Sequence, residues 1–213
     1  MRWFATILLC IACTPKPSAD LDHPGDAPTD PVAVYEALER DIGDGRDGEQ
    51  ARVDALARVE RSPDDGTAAY AFVRAALLGR VAELRGADAG KLVTSAEQWA
   101  RTSLERDPAY RDQAATAMLG SLYVMAPGRL LEHGDSERGL EMLEQLVAAA
   151  PGRIDLHLRL AQAYLHLGDD DGARPELCAS LAGREQLRGD ERKLLDALVG
   201  DAGGAAALAC AAS

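Results

Sequence analysis

Aromatic side chains are scarce in this chain of 213 residues, where Phe, Trp and Tyr make up 4%. A β-sandwich or barrel needs aromatic and β-branched residues alternating along short strands, and no such alternation bounded by turn residues occurs. Basic residues are in the minority too: Lys+Arg 23 against Asp+Glu 35 give a net charge of -12. Phosphates and anionic headgroups are repelled by such a surface, which excludes DNA and RNA as partners. No apolar run reaches the ~20 residues that cross a bilayer as a helix. What is there, 47% hydrophobic residues dominated by Ala and Leu among Arg, Glu and Asp, is the makeup of an all-α protein of one domain.

Sites for chemistry are equally thin. Gly43-Asp44-Gly45-Arg46-Asp47-Gly48 has the spacing of a dinucleotide-binding loop, but it follows a helix-like segment where a strand is required, and its two Asp would repel a pyrophosphate. It reads as a turn between helices. Asp169-Asp170-Asp171-Gly172 lacks the alternation and distal Glu of a calcium loop and reads as an acidic cap for free N–H groups at a helix start. The histidines, His23, His133, His157 and His166, include no pair four apart, and no cysteine lies near enough in sequence to complete a zinc set. Gly120-Ser121 sits in a helix-like run without the second glycine of a nucleophile elbow. The expectation is no metal, no cofactor and no catalysis.

The N-terminus is different in kind. Met1-Arg2 is followed by uncharged, mostly apolar residues through Ala12, too short to span a membrane and typical of an export signal. Residues 14–29 are rich in Pro, Asp, Ala and Ser and read as a tether. At the break, Cys10-Ile11-Ala12-Cys13 resembles the bacterial lipoprotein box, with Cys10 where that family usually has Leu. The resemblance implies that Cys13 is cleaved and acylated, and that the protein is lipid-anchored in the cell envelope. Thr14 lacks the Asp that favours inner-membrane retention, which points to the periplasm-facing outer membrane. The expected division is a signal over 1–12, a tether over 13–29, a helical domain over 30–201 and an Ala/Gly-rich tail over 202–213. Cys178 and Cys210 can pair in an oxidising compartment; alternatively Cys178 is a small buried hydrophobe and Cys210 is free.

Helical periodicity runs from Pro31 to Val199. Asp30-Pro31, a Thr94/Glu97 capping box, Asp135 and Asp190 mark starts, and Gly43, Gly86, Gly168 and Gly200 mark stops, which gives about eight helices. Ala51, Ala96 and Gly139 are each followed twelve positions later by a proline, Pro63, Pro108 and Pro151. Small residues let antiparallel helices approach, and a proline ends the second helix of a pair. Leu160, Ala161, Tyr164, Gly168, Ala173, Leu177 and Ser180 resemble the tetratricopeptide signature, and Leu119, Gly120, Tyr123, Gly134, Gly139, Leu143 and Pro151 keep the same register one unit earlier. That earlier unit carries extra residues within 124–133, so its turn is expected to bulge outward. Residues 78–108 and 32–63 resemble the family more loosely, and residues 190–199 fit a capping helix.

The resemblance implies antiparallel helix pairs stacked as a right-handed superhelical array whose first helices line a concave groove for a protein or peptide partner. Carried onto this chain, the groove positions are Ala114, Ala117, Ser121, Val124, Met125, Asp155, Leu158, Gln162, Leu165 and His166. His157 is expected on the same face. Such a groove is mixed and fairly apolar, suited to a hydrophobic segment. Tyr123 and Tyr164 fall at inter-helix packing positions, and Tyr110 is expected as an exposed contact. The long turns and Tyr123-Val-Met-Ala-Pro-Gly128 also resemble the T-component lipoproteins of TRAP-type transporters. That second resemblance implies an accessory role, with a pocket between the array and the 124–133 turn.

Overall fold

The computed structural model describes residues 30–210. The signal, the tether and Cys13 lie outside the described residues. Helix α1 (Pro31–Gly43) begins where the Asp30 carboxylate accepts from the Val32 N–H at 3.0 Å and Pro31 fills a first-turn position that needs no N–H. Then follow α2 (Glu49–Arg61), α3 (Ala68–Ala82), α4 (Gly90–Arg106), α5 (Tyr110–Met125), α6 (Ser136–Ala149), α7 (Ile154–Leu167), α8 (Asp170–Ala182), α9 (Gly189–Asp201) and a single turn, α10 (Ala205–Leu208). No strand occurs among the described residues, so the all-α expectation holds, with ten helices where about eight were expected.

Several boundaries follow the local chemistry anticipated for them. Asp135 caps α6 by accepting from the Arg138 N–H, and Asp169 caps α8 by accepting from the Gly172 N–H. Gly168 ends α7 in the left-handed region at φ +79°, where a side chain would be strained. Pro63, Pro108 and Pro151 each sit two positions beyond the last residue of α2, α4 and α6.

The helices pack as α1/α2, α3/α4, α5/α6 and α7/α8, each pair also touching the next. Close approach rests on small residues where the repeat is strongest. A Cβ on Gly139 would lie 2.7 Å from the Gly120 carbonyl oxygen, so only glycine lets α5 and α6 come this near. Ala96 and Ala100 are fully buried in α4. Ala51 is exposed, and α2 packs instead through Ala55, Leu56 and Val59.

Two expectations are corrected between α4 and α6. The Thr94/Glu97 box does not start a helix, because α4 already begins at Gly90. Glu97 is fully buried, and its carboxylate accepts from the Glu132 and His133 N–H groups at 2.8 and 2.9 Å. The Thr94 hydroxyl donates to the Leu130 carbonyl at 3.0 Å. The turn from 126 to 135 therefore folds back over α4 instead of bulging outward, with Leu131 in the cluster that holds Leu119 and Tyr123.

The C-terminal end does more than cap. Leu195 and Val199 of α9 cover Leu158, Leu177 and Leu187, but α9 also meets α1. Arg188, just before α9, reaches Glu39 of α1 at 2.5 Å, and a Cβ on Gly189 would collide with the Gly43 carbonyl oxygen. The ninth helix thus returns to the first. Residues read as a tail are drawn in as well: Leu208 is buried, and Cys210 is disulfide-bonded to Cys178 with their Cα atoms 5.5 Å apart.

Candidate functional site

The first helices of the four pairs, together with the start of α9, surround a concavity of about 540 Å³. Its floor is apolar: Phe72 and Ala76 from α3, Ala114, Ala117 and Met118 from α5, Ile154 from α7. Tyr35 of α1 stands edge-on to Phe72 with ring centroids 5.7 Å apart, and Phe72 leans on Tyr110 at 5.8 Å. Burial, reinforced by the Glu39 charge, pushes the Tyr35 phenol up to about 12, so it remains protonated at neutral pH.

Around this floor stand five arginines, Arg80, Arg111, Arg153, Arg159 and Arg188, against four carboxylates, Glu39, Glu83, Asp155 and Glu191. Glu39 is gripped by Arg80 through two hydrogen bonds of 2.7 and 2.8 Å and by Arg188. Burial alone would raise its carboxyl; the hydrogen bonds and charge of Arg80, then of Arg188, override that and hold it at about 2. Arg153 pairs with Asp155 and donates to the Asp112 carbonyl at 3.0 Å. Arg111 reaches Glu36 at 3.2 Å and lies 5.6 Å over the Tyr35 ring. Its backbone helps to send it there, since Arg111, Asp112 and Gln113 are all left-handed at the start of α5. That conformation costs L-residues roughly 1–2 kcal/mol each. Arg159, half-buried on α7, has no carboxylate within ion-pair distance among the described residues. The lining can hold an anion at its rim and an apolar group on its floor. No group of three or more metal-ligating side chains occurs among the described residues.

Residues 130–182 match the family model described as a tetratricopeptide repeat. The chain is a tetratricopeptide-like repeat protein. Within the tetratricopeptide-like array the match runs from the turn held by Glu97 to the end of α8, and the same antiparallel pairing extends over α1–α4 before it. No curated protein matches the chain.

The positions carried over from the tetratricopeptide groove separate into three sets. Ala114, Ala117 and Asp155 line the concavity. Val124 and Leu158 are 3% and 2% exposed, packed respectively with Leu143 and Leu160 and with Leu177 and Leu195, and so offer a partner no surface. The others are off the lining: Ser121 donates to the Ala117 carbonyl within its own helix, Gln162 and Leu165 are half-buried, and Met125 and His166 are exposed at helix ends. His157 faces α8, where its ring nitrogens meet Glu176 and the Pro151 carbonyl. Tyr110 is half-buried against Phe72 and is not a free contact. Tyr123 is buried, and Tyr164 donates to Glu144 at 2.7 Å across the α6/α7 junction.

The arginines were the residues missed. A groove read as mixed and fairly apolar has the apolar floor, but its rim is charged. One signal was present: Met118 and Arg159 both stand one position before the leucine of the aligned pairs Leu119-Gly120 and Leu160-Ala161, so the groove register already held a guanidinium.

Proposed function

We propose that this protein is a non-catalytic scaffold of the bacterial cell envelope, exported, anchored through an acylated Cys13 on the periplasm-facing outer membrane, and holding a partner protein or peptide at its concave face. The observation that carries this reading is the tetratricopeptide match over 130–182 on a stack of helix pairs with one shared concavity. Tetratricopeptide arrays generally mediate protein–protein contact, because adjoining pairs offer one continuous recognition surface. The anchor rests on the short apolar run through Ala12 and the Cys10-Ile11-Ala12-Cys13 box.

A second reading, an accessory lipoprotein of a TRAP-type solute transporter, is favoured by the contact of α9 with α1, which closes the groove into a bowl. The bowl lies between the first helices and not against the 124–133 turn.

The test is to express the full chain in a bacterial host, isolate membranes, determine the mass of the N-terminal peptide and identify crosslinked proteins. An acylated Cys13 with one reproducible partner supports the anchored scaffold. A soluble chain that retains Met1 overturns the anchor, and crosslinks confined to a solute-binding protein favour the second reading.

A further inference from the structure

We propose that the concavity is a binding site for a small organic monoanion with an apolar body, anchored by Arg159. This goes beyond partner capture and neither requires it nor follows from it. The space, about 540 Å³, lies within the range of small-molecule sites. Its walls divide by chemistry, with Phe72, Ala76 and Met118 supplying contact for an apolar body and the guanidinium of Arg159 supplying the charge partner. The arginines of the lining meet Glu39, Glu83, Asp155 and Glu191 within it and Glu36 and Asp190 beside it, so what sets the site apart is Arg159, the one guanidinium of the five without a carboxylate partner among the described residues.

The pairing pattern sets the ligand's charge. Arg80 and Arg188 are held by Glu39, Arg153 by Asp155 and Arg111 by Glu36, and the pairs made by Glu39 and Glu36 also join separate helices of the array. Only Arg159 among them has no carboxylate partner among the described residues. One available guanidinium matches one negative charge. A dianion would bring a second charge toward Glu39, Glu83, Asp155 and Glu191 with no cation left to meet it. Where the junction of Arg188 with Glu39 closes one end, a short extended peptide fits this space less well than a compact anion, and partner capture over the wider concave face does not depend on it.

Calorimetric titration of the full chain, corrected for detergent micelles alone, tests this with four probes: phenylbutyrate, its uncharged amide, the dianion phenylsuccinate, and a free-acid hexapeptide of leucine and alanine. Phenylbutyrate is expected to bind at least about tenfold tighter than the other three, as one charge-assisted contact allows. Arg159→Gln is expected to weaken phenylbutyrate by about 10- to 100-fold and leave the amide unchanged. Arg159→Lys keeps the preference for the anion, the exposed Arg58→Gln changes nothing, and Met118→Trp, which fills the floor, excludes phenylbutyrate and amide alike. Circular dichroism checks that each variant is folded. Equal binding of acid and amide, an unaltered Arg159→Gln, tighter binding of the dianion or the peptide, or no binding at millimolar phenylbutyrate overturns the proposal. Crosslinking yield is read separately, so loss of this site and loss of partner capture are distinguishable.

Discussion

Replacing Glu39 with Gln removes the charge that joins the two ends of the array. The carboxylate is 11% exposed and lies against Arg80 and Arg188, which hold it at about 2 instead of its ordinary 4.5. The difference, 4.5 minus 2, is 2.5 pH units, equivalent to about 3 kcal/mol. A carboxyl whose folded pKa is depressed contributes fully above its unfolded pKa, and the contribution fades as pH falls through the folded value. Protonated Glu39 resembles Gln, so the two proteins should differ by about 3 kcal/mol at pH 7, converge below about pH 4.5 and coincide near pH 2. For a chain of this size the neutral-pH gap is a loss of roughly 6–12 °C in Tm. Thermal unfolding of both proteins at pH steps measures it, with Glu60→Gln, an exposed partner of Arg74, as the control expected to show no comparable change. A gap that stays constant across pH, or no gap at pH 7, refutes the assignment of the closure to this carboxylate.

Glu97→Ala leaves the Glu132 and His133 N–H groups without their acceptor and is expected to cost about 2–4 kcal/mol. Trypsin should then cut after Arg129, and native-state cleavage rates read the release; an uncut turn argues against the strap. Reduction of Cys178–Cys210, or their joint replacement by serine, frees a span of 32 residues and should lower stability by about 4 kcal/mol, measured by urea unfolding with and without reductant. Identical curves would mean that the bond does not restrict the unfolded chain.

Local signals carried most of the fold. Asp30, Asp135 and Gly168 act on backbone groups within a few residues, and the three prolines mark ends that depend only on a missing N–H. Thr94 and Glu97 have the letters of a capping box, but their partners are 35 and 36 residues away, in a turn that sequence spacing alone does not place over α4. Leu158 shows the same limit. Its register is that of the lining residue Ala117, yet α9 and Leu187 cover it, so a position facing the groove in an open array is core in this one. The charged rim was hidden because Arg80, Arg111, Arg153 and Arg188 lie on separate segments of the sequence, and their convergence depends on the curvature of the whole stack.

Arrays of repeated helix pairs are ordinarily open-ended, so copies can be gained or lost over generations and the chain can fold pair by pair as it is made. Here Glu39 and Arg188 are 149 positions apart and the carbonyl of Gly43 abuts Gly189. Adding or deleting one pair would turn the first helix out of reach of the last, so the number of pairs is fixed by geometry. During synthesis the first helix must also wait for the ninth before its buried carboxylate finds both of its cations. The molecule gives up the modularity of an open repeat array for a folding event that is complete only when nearly the entire chain has been made.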